Sequence, residues 1–229
     1  IFSYYLGDIC FRSEVDKKTN VEVRLIDYNC DHLSYCKEEK LWNGVICRPR
    51  IINNICAWGP RTDFIMNIIY KCYDMGRKTL VLSDRREHCL EMVRLANEKY
   101  GSEVAGAYLG GMKIHELDAS NNKMIIAGTY QACSEGYDNR TLDTLIMSTP
   151  IGNIEQTVGR ILRQENKYHP LIYEIVDDNI PCLKKNCTTH IKLYKKRDYD
   201  VYKNDDTDKI DFSKKKKVKK DMWNQDCLL

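Results

Sequence analysis

Three long polar side chains recur at helical spacing near position 160. Gln156, Arg160 and Arg163 are separated by four and three residues, so a helix would place them on one face. Val158 and Leu162 would lie toward the opposite, core-facing side. Two guanidinium groups held together are unfavourable unless an anion lies beside them. The spacing indicates a polyphosphate site, although arginines three residues apart are also typical of a plain solvated helix face.

Short apolar segments alternate with amphipathic ones along most of the chain. Asp84 is predicted to cap one of the helices, and Gly76 and Gly101 are predicted to end two of them. The predicted strands are 21–28, 79–83, 104–108, 124–128, 144–147 and 171–175, and the predicted helices are 63–75, 85–100, 154–164 and 181–199. Buried strands that alternate with helices predict an α/β fold, with a parallel sheet covered by helices on both faces.

Two segments with unusual composition follow predicted strands. The stretch 129–138 leaves one strand, and Ser148-Thr149-Pro150 leaves another and leads into the helix that carries Gln156. In a parallel sheet, ligands are met by the segments that leave the carboxyl ends of the strands. Both segments are therefore predicted to open on the edge where the paired arginines lie.

Four motifs carry a resemblance to a known family. Gln-x-x-Gly-Arg-x-x-Arg at 156–163, Ser-Glu-Gly-x-Asp at 134–138 and Tyr-Leu-Gly-Gly-Met-Lys at 108–113 resemble motifs VI, V and IVa of superfamily 2 helicases, and 78–86 resembles motif IV. The likeness runs from about 77 to 178. It is nearest in appearance to the DEAD-like helicases of large cytoplasmic DNA viruses and phages, and it implies a RecA-like lobe.

The resemblance implies roles at the ATP site. Arg160 and Arg163 look like arginine fingers, which stabilise charge on the γ-phosphate in the transition state. Gln156 would position ATP or link the two lobes of a helicase. The other positions implied to lie at ATP are Gly136, Asp138 and Gly159.

The resemblance also implies a nucleic-acid track. Gly110 and Gly111 would let the backbone approach a phosphate of the bound strand, with Lys113 and Arg85 adding positive charge and Thr129 on the nucleic-acid side of motif V. Contacts of this kind do not depend on base sequence. Taken alone, paired glycines are more typical of a turn, and an arginine at a helix start is equally typical of an exposed charge.

Two motifs needed for ATP hydrolysis are absent. The chain has no G-x-x-x-x-G-K-[ST] and no Asp-Glu metal motif. ATP and Mg²⁺ are therefore expected to be bound mainly by an N-terminal RecA-like lobe outside this chain, and this chain alone is expected to be inactive. The start at Ile1, without methionine, favours a C-terminal part of a longer protein.

Charge and composition suggest four regions. These are a lead-in at 1–44, the RecA-like lobe at 45–178, a C-terminal helix at 179–202 and a charged tail at 203–229. From Asn179 onward the chain has 14 Lys and Arg against 8 Asp and Glu. The lysine-rich tail fits a nuclear localisation signal, a phosphate-binding arm or a solubilising tail, and the sequence does not separate these roles.

The 11 cysteines are irregularly spaced, which favours free thiols in a reducing, intracellular setting. We expect the cytoplasm, including a viral factory or virion, with the nucleus left open. No metal is predicted, because two candidate groups lack paired C-x₂-C spacing; these are Cys30, His32 and Cys36, and Cys182, Cys187 and His190. No apolar run approaches the ~20 residues that span a bilayer, so no membrane partner is expected.

The sequence thus predicts the C-terminal lobe of an ATP-dependent helicase or translocase acting on DNA or RNA. The expected substrate is a single strand bound without sequence specificity, and a transcription complex is a further expected partner. The alternative is a non-catalytic module that keeps a helicase lobe for docking nucleic acid or protein. The presence of both arginines with Gln156 favours the enzyme.

Overall fold

The computed structural model describes residues 21–134, 137–152, 154–158, 168–204 and 206. Seven strands in these ranges form one sheet in the order β3-β4-β2-β5-β6-β1-β7, with every pair parallel. The strands are β1 (Glu22–Tyr28), β2 (Thr79–Ser83), β3 (Ala105–Tyr108), β4 (Ile125–Thr129), β5 (Thr144–Met147), β6 (Leu171–Asp177) and β7 (Asp200–Lys203).

Helices cover both faces of this sheet, so the predicted fold class is confirmed. The helices are α1 (Arg48–Ala57), α2 (Gly59–Asp74), α3 (Arg86–Tyr100), α4 (Ile114–Asn121), α5 (Tyr130–Ser134), α6 (Glu155–Val158) and α7 (Pro181–Lys196). Val81 packs in one apolar cluster with residues of α1, α2 and α3. Its neighbours Leu80 and Leu82 point the other way, into a second cluster with residues of α5, α6 and α7.

The sheet extends beyond the range 45–178 predicted for the lobe. β1 lies within the predicted lead-in, yet it pairs along its whole length with β6, from Glu22 opposite Leu171 to Tyr28 opposite Asp177. β7 pairs with the outer side of β1. Segments distant in sequence therefore complete the same hydrogen-bonded sheet, and β1 is buried within it.

The two glycines predicted to end helices do so, whereas the predicted cap fails. Gly76 and Gly101 follow α2 and α3 with φ angles of 71° and 106°, values that favour glycine. Asp84 does not cap α3, because Arg85 occupies the capping position without a side-chain cap. The helices α1, α4 and α5 and the strand β7 were not predicted from the sequence.

A buried ion pair joins the sheet to α2 and to the loop after β1. Asp177, the last residue of β6, accepts hydrogen bonds from Nε and Nη2 of Arg61 at 2.7 and 3.0 Å, and both side chains are fully buried. Tyr35 donates its hydroxyl to the same carboxylate at 2.5 Å. Burial and the Asp177 charge raise the pKa of Tyr35, which keeps this hydroxyl protonated.

We expect Asp177→Ala to destabilise the protein by about 3–5 kcal/mol, because it leaves the Arg61 guanidinium buried without a counter-charge. Urea unfolding measures the change. The control is Arg94→Ala, which breaks exposed pairs with Glu91 and Glu98 and should cost less than about 1 kcal/mol. Equal costs for the two variants would contradict the dependence on the buried pair.

Candidate nucleotide and nucleic-acid site

The carboxyl ends of β2, β3, β4 and β5 meet at one edge of the sheet because these strands are parallel. Four segments leave the sheet there, namely 84–86, 109–113, 130–134 and 148–152. They include three of the motif regions singled out in the sequence. The fold therefore brings together positions that lie far apart in the chain.

A cleft of about 550 Å³, here called the edge cleft, lies between the first three of these segments. It is lined by Asp84, Arg86, Gly110, Thr129, Gln131 and Ala132. Gly110 and Thr129, both predicted to contact nucleic acid, thus share one cavity. Arg86 donates from Nη1 to the Gly110 carbonyl oxygen at 2.5 Å and supplies the positive charge of this cleft.

The side chains of Arg85 and Arg86 bond different partners. Arg85 donates to Asn53 Oδ1 at 2.5 Å, to Asp84 Oδ2 at 2.7 Å and to the Pro49 carbonyl oxygen at 3.1 Å. These bonds tie α1 to the end of β2. The nucleic-acid role expected of Arg85 stays a prediction, whereas Arg86, its neighbour at the same helix start, lines the edge cleft.

The glycine segment after β3 is open to solvent. A side chain added at Gly110 would meet nothing within 4 Å. Gly111 has a φ of 83°, a conformation that other residues rarely adopt. Lys113 is exposed at the start of α4, where its backbone N–H donates to Glu116 Oε2 at 2.8 Å. The segment is thus open to solvent, and the phosphate contact expected of it stays a prediction.

Hydrogen bonds tie the edge segments to one another. Thr149 Oγ1 accepts from the Asp84 backbone N–H at 2.9 Å, and the Thr149 carbonyl oxygen accepts from the Tyr130 hydroxyl at 2.6 Å. Burial raises the pKa of Tyr130, so its hydroxyl remains a donor. Thr129 Oγ1 accepts from the Ala132 N–H at 3.3 Å. The ends of β2, β4 and β5 are therefore held as one unit.

A close approach below the edge cleft requires a glycine. A Cβ at Gly128 would lie 2.6 Å from Cys133 Sγ and 2.9 Å from the Tyr108 carbonyl oxygen. The second contact involves backbone of the neighbouring strand, which cannot move without disturbing the sheet. Gly128 therefore lets β3 and α5 pack closely beneath Thr129.

His88 supports the edge from inside α3. Its Nδ1 lies 3.0 Å from Ser83 Oγ, and its Nε2 lies 3.4 Å from Thr62 Oγ1. Ser83 Oγ accepts from the Arg85 backbone N–H at 3.2 Å, so the Ser83 hydroxyl is free to donate to Nδ1. Burial, with a smaller effect of the Arg61 charge, lowers the pKa of His88 to about 4. The ring is therefore neutral near pH 7.

The segment that leads into α6 is clamped by groups from α1 and α7. Arg48 Nη2 donates to the Pro150 carbonyl oxygen at 2.9 Å. Asn186 Nδ2 and His190 Nε2 both lie 2.8 Å from the Ile151 carbonyl oxygen. The sequence analysis considered His190 only as a metal ligand and missed this contact, which no local pattern reveals.

Several predicted ATP-site positions fall outside the described residues. These are Gly136, Gly159, Arg160 and Arg163, together with the side chain of Gln156. The backbone of Gln156 lies in α6, which follows the carboxyl end of β5 as predicted. Asp138 is exposed, with Oδ2 3.6 Å from Arg140 Nε. The ATP roles of these residues stay predictions.

Neither candidate metal group is assembled in the part of the chain that the structure describes. Among those residues, no three His, Cys, Asp or Glu side chains are placed to hold one metal ion. Every cysteine in the described ranges is a free thiol. The described helices also include none that is both long and apolar enough to cross a membrane.

The fold and its carboxyl-edge cleft define a RecA-like α/β domain, and comparison with solved structures agrees. The structure of T4 UvsW matches with a TM-score of 0.61 and 16% identity, over 82% of this chain and 41% of UvsW. At this identity the similarity shows the fold. No family model matches the chain.

Sequence comparison identifies viral and phage helicases. A putative ATP-dependent RNA helicase of Acanthamoeba polyphaga mimivirus, L396, is 32% identical over 98% of this chain and 43% of its own length. Probable helicase D10 of Escherichia phage T5 is 31% identical over 50% of this chain and 27% of its own length. Putative ATP-dependent RNA helicase QP509L of African swine fever virus is 29% identical over 52% of this chain and 24% of its own length.

These findings support a superfamily 2 helicase domain of the kind found in large DNA viruses and phages. The chain spans less than half the length of these curated relatives. The family predicted from motifs IV, IVa, V and VI is thus confirmed.

The buried neutral His88 predicts a pH-dependent stability. Its pKa is lowered from 6.5 to about 4, so between these values the unfolded chain binds a proton that the folded protein does not. The contribution of His88 to the free energy of unfolding is fully present above pH 6.5. It is lost as the pH drops toward 4, which lowers the stability by about 3 kcal/mol.

Urea unfolding from pH 7.5 to 4, compared between the parent and His88→Gln, measures this contribution. Glutamine can still bond Ser83 but does not titrate, so the parent should lose more stability than the variant across this range. Parallel pH profiles would show that His88 titrates alike in the folded and unfolded states.

Proposed function

We propose that this chain is the second RecA-like lobe of an ATP-dependent superfamily 2 helicase or translocase. The observation that carries the proposal is the edge cleft, where Arg86, Gly110 and Thr129 meet at the carboxyl ends of three adjacent strands. Its open glycine segment and single guanidinium suit a backbone phosphate of a nucleic-acid strand. Contacts of this type give binding without base specificity.

The ATP site of the proposed enzyme is shared between two lobes. A first lobe, outside this chain, would hold most of ATP and Mg²⁺. Arg160 and Arg163 would reach across to the γ-phosphate, with Gln156, Gly136, Asp138 and Gly159 nearby. The position of α6 supports this arrangement, because this helix follows the carboxyl end of β5, at the same edge of the sheet as the edge cleft.

Work would come from changes in the separation of the two lobes. Closure on ATP would move the strand held at the edge cleft, and hydrolysis would release the lobes. The hydrogen bonds that tie Asp84, Tyr130 and Thr149 together support this role. Because of them, the edge cleft and the segment that leads to α6 would move as one body. The proposed setting is a reducing, intracellular compartment, in keeping with the free thiols of the described residues.

We expect Arg86→Ala to weaken binding of an oligonucleotide and to reduce the slope of log K against log salt by about 1, because one phosphate contact is lost. Fluorescence anisotropy with oligothymidylate and oligouridylate measures both quantities and tests DNA against RNA. The matched control is Lys123→Ala, which removes a cation paired with Glu103 near the opposite end of β4. Identical slopes of log K against log salt for Arg86→Ala and the parent would show that Arg86 does not contact a phosphate.

ATP turnover tests the proposed arginine fingers. In a protein that joins this chain to a first lobe with Walker A and Asp-Glu motifs, Arg160→Ala with Arg163→Ala should lower kcat by roughly 10³-fold or more. This chain alone should not hydrolyse ATP. Arg94→Ala, which removes an exposed arginine of α3, should turn over like the parent. A double variant as active as the parent would favour the non-catalytic docking module.

A further inference from the structure

A β-hairpin with an apolar tip projects from the loop between β1 and α1. Lys40 and Ile46 form an antiparallel bridge, and the Leu41 N–H donates to the Val45 carbonyl oxygen at 2.8 Å. Gly44 closes the turn with a φ of 79°, and its N–H donates to the Leu41 carbonyl oxygen at 2.9 Å. We call residues 40–46 the tip hairpin.

Trp42 stands at the end of the tip hairpin with 99% of its surface exposed. So large an apolar side chain left in water loses the free energy that its burial would supply. The turn that presents it is well held, because Asn43 Oδ1 also accepts from the Val45 N–H at 3.1 Å. A rigid hairpin that carries an indole into solvent points to a ligand for that ring.

The tip hairpin is anchored to the body of the domain at its base. The Cys47 N–H donates to the Glu39 carbonyl oxygen at 2.7 Å, and Arg50 Nη1 donates to the Lys40 carbonyl oxygen at 3.4 Å. Arg50 lies in the first turn of α1, which begins directly after the hairpin. The position of Trp42 is therefore set by a helix that packs on the sheet.

The same helix reaches the edge cleft. Pro49 and Asn53 of α1 both accept hydrogen bonds from Arg85, the neighbour of Arg86. The hairpin loop leaves the carboxyl end of β1, which is three strand positions from β2, or roughly 14 Å. The tip hairpin and the edge cleft thus lie on one edge, joined by α1.

Charge favours a polyanion as the ligand of this surface. Within 37–50 there are four Lys or Arg and two Glu. Both carboxylates are already paired, Glu39 with Lys37 and Glu38 with Lys40. The charge in excess is that of Arg48, which bonds Asn186 and Pro150, and that of Arg50, which is exposed at the base of the tip hairpin. An exposed indole beside positive charge is the combination that binds unpaired bases by stacking and their phosphates by attraction.

We propose that Trp42 stacks on an unpaired base of the strand whose backbone lies in the edge cleft. This inference rests on the proposed function and extends the track across α1 to the tip hairpin. The contact is independent of base identity, because every base offers a π-face. It holds the strand at a second point, which the motif residues do not supply.

Oligothymidylate binding by the full chain, measured by fluorescence anisotropy over a range of salt concentrations, tests the stacking. Trp42→Ala should lower affinity by about 5- to 100-fold at every salt concentration. The salt slope should not change, because no phosphate contact is removed. Trp42→Phe, which keeps a stacking ring, should retain most of the affinity.

Leu33→Ala is the matched control, since Leu33 is an apolar residue of the same loop with 88% of its surface exposed, but it has no ring. It should bind like the parent. Equal losses in Leu33→Ala and Trp42→Ala would overturn stacking and indicate a general apolar docking surface. Parental affinity in Trp42→Ala, with a reduced slope in Arg86→Ala, would overturn stacking and leave the proposed track standing. A parent chain that binds no oligonucleotide would overturn both.

Discussion

The parallel direction of all seven strands is the constraint on which the rest of this structure depends. Parallel neighbours need a crossover between them, and these crossovers place helices on both faces, so the inner strands β2, β5 and β6 are buried along their length. The same direction sends every segment after a strand to one edge. Thr129, Gly110 and Arg86 meet there although no two of them belong to the same strand or helix. An antiparallel hairpin between any two of these strands would have sent one segment to the opposite edge.

Buried polar groups then fix the geometry of that edge. Asp177 ends β6 and holds Arg61 and Tyr35, while Ser83 ends β2 and contacts His88. Each group bonds a partner from another element, so the ends of the strands cannot shift independently. In the low-polarity interior of the protein such bonds are stronger than in water, and removing one partner destabilises the fold. The edge is thus rigid where it carries the proposed site, and the exposed glycine segment provides access for the ligand.

Sequence patterns predicted the strands that are buried on both faces, because 79–83 and 144–147 are short apolar runs between helices. They did not show that β1 belongs to the sheet, since its partner β6 is about 150 residues away. Nor could sequence patterns show which of the neighbours Arg85 and Arg86 lines the edge cleft. Which arginine enters the cleft depends on acceptors in α1, more than 30 residues earlier. The predicted capping of α3 failed for a similar reason, because the Asp84 carboxylate accepts a hydrogen bond from the Arg85 side chain instead.

The C-terminal helix α7 contacts the segment that leads into α6. His190 Nε2 must donate to the Ile151 carbonyl oxygen, because a carbonyl only accepts. Its Nδ1 lies 2.7 Å from Glu174 Oε1, so the ring contacts β6 as well as the segment that leads into α6. Tyr194 donates to the second Glu174 oxygen at 2.7 Å. A strand of the sheet therefore helps to set the position of α7, and α7 in turn holds the segment between β5 and α6.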